Sequence, residues 1–134
     1  LLIHGNAGWT DVEFESYTDP FTGTNHDGSN VPFIPELTAS AGFRYDLPGG
    51  FFFGSSVRAT EDTYYDAANT GAFLQDGYWI WNAQVGYEAE NWSVTVYGRN
   101  ILDEEYYTFI NPQIAAGSPG DPQLFGVRVN LDLW

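Results

Sequence analysis

The chemistry open to this chain is carried almost entirely by carboxylates. Asp and Glu total 18, against 4 Arg and Lys combined and 2 His. Asp11, Glu13 and Glu15 alternate along one segment, so in an extended chain they share a face. Asp103-Glu104-Glu105 forms a second acidic group. Oxygen-rich groups of this kind suit Ca²⁺, and the same pattern also describes a solvated acidic face. Ca²⁺ at Asp11, Glu13 and Glu15 is the one metal expectation, and no other cofactor is expected. His4 and His26 lack a ligand spacing such as His-x-x-x-His, and a polar wall or a loop suits both. Cysteine is absent, which excludes disulfides and thiolate metal sites. The sequence contains no Gly-rich phosphate loop and no nucleophile elbow. No carboxylate pair reads as a hydrolase pair. The chain is therefore expected not to be an enzyme.

The formal net charge of -14 argues against nucleic acid as a partner, because phosphates need Lys and Arg. It also argues against adsorption to anionic lipid. The chain begins Leu1-Leu2-Ile3, with neither a start Met nor the basic and apolar regions of a signal peptide. A mature form or a fragment is expected. No apolar run approaches the ~18 residues of a membrane-crossing helix. The mean hydropathy of -0.27 is still compatible with a membrane barrel, whose strands alternate apolar and polar residues and average out.

The elements that must position these residues are strands. Aromatics make up 18% of the chain and there are 15 Gly, a composition that favours β structure. Alternation of period two runs through four segments. Over Glu36 to Tyr45 the apolar phase is Leu37, Ala39, Ala41, Phe43 and Tyr45. Over Tyr78 to Glu88 it is Trp79, Trp81, Ala83, Val85 and Tyr87, with Ile80 the exception on the other face. Over Trp92 to Asn100 it is Trp92, Val94 and Val96. Over Phe125 to Leu133 it is Phe125, Val127, Val129, Leu131 and Leu133. Weaker strands are expected at Phe51 to Thr60 and Leu1 to Trp9. The phase of the latter inverts at Val12 and Phe14, which predicts a bulge or a strand leaving one environment for another. About six strands result.

The connections alternate in length. Short ones lie at Asp46 to Gly50 and Ala89 to Asn91. Long ones lie at Thr18 to Asn30, Asp62 to Asp76 and Thr108 to Pro122, rich in turn-forming residues. Short turns at one end and long loops at the other describe an outer-membrane meander. Tyr45, Phe51, Tyr87 and Trp92 flank the short turns, as an interfacial aromatic girdle would.

The segment Tyr97-Gly98-Arg99-Asn100-Ile101-Leu102-Asp103-Glu104-Glu105-Tyr106-Tyr107 resembles the penultimate-strand signature of TonB-dependent outer-membrane receptors, an Asn-Leu-Phe-Asp-x-x-Tyr run. Asn100, Ile101, Leu102, Asp103, Tyr106 and Tyr107 carry the likeness, with Ile101-Leu102 in place of Leu-Phe. Val31 to Glu36, Tyr45 to Gly50, Tyr78 to Tyr87, Asn91-Trp92 and Pro122 to Val129 follow the family's order, so the resemblance covers essentially the whole chain. One feature departs from it. The family's terminal aromatic shares the phase of the lipid-facing residues, whereas Trp134 falls with Asn130 and Asp132.

The resemblance implies an all-β fold. Residues 1–134 would be a C-terminal antiparallel meander of a transmembrane β-barrel of ~22 strands, without the plug and without a TonB box. The parent would sit in the Gram-negative outer membrane and import a scarce solute such as a ferric siderophore. This piece would not transport alone. Its partners would be the rest of the barrel and outer-membrane lipid. Two other readings stand beside this one. The fragment could stack identical copies of itself into an extracellular cross-β, amyloid-like fibril, or the chain could be a soluble sugar-binding sandwich.

Overall fold

A computed structural model describes residues 1–132. Among these residues ten strands form: β1 (Leu2–Trp9), β2 (Leu37–Asp46), β3 (Phe51–Thr60), β4 (Thr63–Tyr64), β5 (Leu74–Gln75), β6 (Tyr78–Glu88), β7 (Trp92–Arg99), β8 (Tyr107–Asn111), β9 (Ala116–Pro119) and β10 (Leu124–Leu131). Six of them make one sheet in the order β1-β2-β3-β6-β7-β10. Every pairing in it is antiparallel. The expected meander is therefore present, with strand ends within two residues of those read from the alternation.

The register aligns the alternation of all six strands. Trp9↔Leu37, Ala39↔Ala59, Val57↔Trp81, Val85↔Val96 and Val127↔Val96 place the apolar phases on one common face. On the opposite face lie His4, Ser40, Arg44, Arg58, Gln84, Arg99, Arg128 and Asn130. A slip of one residue anywhere would mix the two sets.

Nothing among the described residues covers the apolar face. Trp79 is 65% exposed, Val129 58% and Leu131 65%, and the only buried hydrophobic residues among those described are Phe52 and Tyr65. A soluble sandwich would bury such a face against a second sheet. This sheet is a single layer with its apolar side exposed.

The two ends of the sheet differ as the connection lengths require. At one end, Gly49 and Gly50 take φ of 90° and 91°, and the Leu47 amide donates to the Phe51 carbonyl at 2.7 Å. The second tight turn closes with the Ala89 amide on the Trp92 carbonyl at 2.8 Å. Rings gather at this end: Phe51 lies 4.9 Å from Tyr87, Tyr87 5.3 Å from Trp92 and Tyr45 5.6 Å from Phe53, centre to centre. The aromatic residues that flank the short turns thus gather at this end in two groups, Tyr45 with Phe53 and Phe51 with Tyr87 and Trp92.

At the other end the long loops have structure of their own. Residues 10–36 carry bridges Glu13↔Asn30 and Thr18↔Asn25. β4 pairs with β5, a short 3-10 turn spans Gly71–Phe73, and β8 pairs with β9. The phase inversion at Val12 and Phe14 marks the point where the chain leaves the sheet, since β1 ends at Trp9.

The stacked-fibril reading finds no support. The strands of the sheet pair with other strands of the same chain, β1 and β10 along one edge each, rather than with identical segments above and below. The sequence expectations for Leu133 and Trp134, including the phase of the terminal aromatic, fall outside the described residues.

Candidate functional site

The residues of the family signature are brought together as a structural knot at the base of the third long loop. Asn100 is 2% exposed and takes φ of 46°, in the left-handed region that Asn tolerates. Its Nδ2 donates to the carbonyls of Glu104 at 2.9 Å and Asp121 at 3.0 Å. Its Oδ1 accepts from the Glu104 amide at 2.9 Å. One side chain thus ties both ends of the loop to the end of β7. Asn82 of β6 completes the knot, its Oδ1 accepting from the Asn100 amide at 3.0 Å.

The other signature residues extend this arrangement. The Ile101 amide donates to the Trp81 carbonyl at 2.9 Å, which continues the β6–β7 pairing beyond Asn100. Asp103 Oδ1 accepts from the Gln123 amide at 3.3 Å, where the loop returns toward β10. The Tyr106 ring stacks on Tyr78 at 4.3 Å, and its hydroxyl accepts from the Asp121 amide at 3.3 Å. The Tyr107 amide donates to Gln75 Oε1 at 2.8 Å, linking the third loop to the second. Leu102 is exposed and points away from the knot's polar interior. Every polar bond named here is internal, so the signature positions a loop.

The loops are joined into one rim. Phe33, Tyr65 and Phe109 come from three different loops and pack with ring centres 5.4 to 6.0 Å apart. Asn69 makes a two-bond clasp on the backbone of Asn30, at 2.7 and 3.0 Å. Burial pushes the Tyr65 phenol above the ordinary tyrosine value, and Tyr78 adds to the rise. In the first loop, the Phe21 amide donates to Asp19 at 2.7 Å and holds that carboxyl below the ordinary value.

The polar face of the sheet sorts charge. All 4 basic residues are arginines, Arg44, Arg58, Arg99 and Arg128, and all 4 lie on this face. Of the 18 carboxylates, only Asp46 and Glu88 lie within strands. Arg44 binds both, at 2.8 Å each, and lies 3.8 Å from the centre of the Phe52 ring. Arg99 and Arg128 both lie near the Tyr97 ring, at 5.6 and 5.5 Å from its centre. Among the described residues, Arg58, Arg99 and Arg128 have no carboxylate in salt-bridge range. A cavity of about 380 Å³ runs along this wall, lined by Arg44, Arg99, Arg128, His4 and Gln84. Sequence reasoning did not single out these arginines. The signal was available, because each falls in the polar phase of its strand.

The structure does not gather the expected Ca²⁺ ligands. Among the described residues, no group of three or more His, Asp or Glu has metal-binding geometry. β1 ends before Asp11, and of Asp11, Glu13 and Glu15 only Glu13 lies in a β-bridge, to Asn30. His26 is buried within its loop, with its ring 5.7 Å from Tyr17, and His4 lies on the polar face.

Comparison with known proteins agrees with this geometry. The chain is 28% identical over 112 residues to the catecholate siderophore receptor Fiu of Escherichia coli strain K12, covering 78% of this chain and 14% of that one. It is 32% identical over 81 residues to the ferric-pyoverdine M114 receptor PbuA of Pseudomonas sp. strain M114, covering 59% of this chain and 10% of that one. The chain thus spans roughly a tenth to a seventh of the length of these relatives. Among solved structures, the siderophore receptor PiuA from Acinetobacter baumannii shares the fold, with a TM-score of 0.82 and 18% identity over 96% of this chain and 19% of that one. Residues 1–101 match the family described as TonB dependent receptor-like, β-barrel, and the chain belongs to that family.

Proposed function

We propose that this chain forms part of the wall of a receptor that imports a ferric siderophore with energy relayed by TonB, and that it catalyses no reaction of its own. Receptors of this family lie in the Gram-negative outer membrane. The observation that carries the reading is the two-faced register: six strands place one continuous apolar face on one side and a polar, arginine-bearing face on the other. A barrel wall in lipid around an aqueous interior requires that arrangement. The relatives' names, a ferric-pyoverdine receptor and a catecholate siderophore receptor, supply the solute class.

Two partners follow from physical argument. β1 and β10 are the outer strands of the sheet, and an open strand edge in hydrocarbon leaves backbone groups unsatisfied at a cost of several kcal/mol each. Further barrel strands would pair with both edges. Outer-membrane lipid would cover the apolar face. The signature at Asn100, followed by one loop and β10, supports placing residues 1–134 at the C-terminal end of the barrel.

The test is uptake of ⁵⁵Fe-labelled siderophores by cells lacking the gene that encodes the receptor. Loss of uptake of one ferric siderophore, restored by the gene and abolished again without TonB, is the expected result. Unchanged uptake across pyoverdine, catecholate and hydroxamate complexes would overturn the proposal.

A further inference from the structure

We infer that the outward face carries a groove that holds one lipid acyl chain, a proposal that rests on reading this face as lipid-facing. The groove has a volume of about 680 Å³. Its floor is made of small side chains on β2 and β3, chiefly Ala41 and Val57, which are directly paired. Trp79 and Trp81 of β6 rise along one side, and Ile3 and Phe43 along the other. Leu102, the exposed residue of the signature segment, closes the end nearest the loops.

The lining identifies the occupant. No charged side chain lines the groove. Among its polar residues, the Trp81 indole N–H donates to Ser55 Oγ at 2.6 Å, and Ser55 Oγ donates to the Asn82 carbonyl at 3.1 Å. A sugar, a headgroup or a peptide backbone placed there would lose its water without gaining partners. Hydrocarbon suffers no such loss.

The groove is lined from four neighbouring strands, β1, β2, β3 and β6, and its floor spans the middle two. The groove also opens onto a face that is apolar throughout, so a tail can enter sideways from the bilayer.

The test uses the full-length receptor purified in detergent with palmitoyl-oleoyl phosphatidylglycerol, read by native mass spectrometry. The wild type should retain a single phospholipid after other lipid is stripped. Ala41→Phe, which fills the floor, should lose it. Val127→Phe, which adds a ring to the same face outside the groove, should keep it. Heat-modifiable migration reports folding of both variants. Equal retention by Ala41→Phe and the wild type, or none by the wild type, would overturn the proposal. A lipid-free dimer of the wild type would also overturn it and would assign the face to a second copy.

Should Ala41→Phe fail to fold, the wild-type receptor in vesicles containing a diazirine-bearing palmitoyl phosphatidylcholine decides the matter. Label several-fold denser at Ile3, Phe43, Trp79 and Trp81 than at Val127 and Val129 is the expected pattern. Even labelling of the outward face would reject the groove alone. Labelling of Gln84 and Asn130 would reject the orientation on which the groove rests.

Discussion

Asn100 shows how a single side chain can replace a stretch of regular structure. Three of its hydrogen bonds run from the side chain to backbone groups of the same loop. Truncating a buried partner of this kind leaves each group unpaired. Asn100→Ala is expected to cost about 2–4 kcal/mol of receptor stability, measured as the drop in the temperature at which the folded band collapses on heat-modifiable gels. Asn100→Asp keeps the acceptor and loses the donor, and should fall between the two. The sequence marked Asn100 as a family signature but not as a knot, because its partners at Glu104 and Asp121 are main-chain carbonyls that carry no residue-type signal. Tyr65 gives a second expectation. Its raised value in the folded rim means that the neutral phenol is favoured there. Below the ordinary tyrosine pKa of ~10 both the folded and the open rim hold a neutral phenol, and stability is unaffected. As pH rises past that value the open form ionises first, so rim packing weakens between the ordinary and the folded value. Near-ultraviolet circular dichroism of the receptor should show this loss in the alkaline range, and Tyr65→Phe should remove its pH dependence.

Strand β6 tests the two-faced wall most cleanly, because Val85 and Gln84 are adjacent and face opposite ways. Val85→Arg would put a charge into hydrocarbon, at about 2–4 kcal/mol near the midplane and less toward either interface. Gln84→Arg adds the same charge to a wall that already carries arginines and should cost much less. Equal losses in chemical denaturation from vesicles would contradict the assigned faces. The six long strands were legible from alternation because one buried or lipid-facing side imposes period two on ten residues at a time. The pairs β4–β5 and β8–β9 were not legible. β4 and β5 are two residues each, and β8–β9 carries an irregularity between Tyr107 and Phe109, so neither is long enough to repeat a pattern. The loop rim was hidden for another reason. Phe33, Tyr65 and Phe109 lie far apart in the chain, and only the closed meander brings them into contact.

The whole molecule separates its charges by height and by face. Acidic residues gather in the loops and turns, arginines on the polar face of the sheet, and among the described residues neither sign lies on the apolar face. That sorting explains how a chain with a formal net charge of -14 can present a continuous apolar surface. It also explains why the mean hydropathy gives no hint of a membrane. The central claim is that this apolar surface meets lipid and the opposite one meets the barrel interior. A nitroxide scan from Tyr78 to Glu88 in the full-length receptor, reconstituted in liposomes, tests it most directly. The chain has no cysteine of its own, so each introduced label is unique within it. Collision with oxygen, which concentrates in lipid, should peak at Trp79, Trp81, Ala83, Val85 and Tyr87. Collision with a water-soluble nickel chelate should peak at Ile80, Asn82, Gln84 and Gly86. A profile without period two, or with the two phases exchanged, would contradict the account.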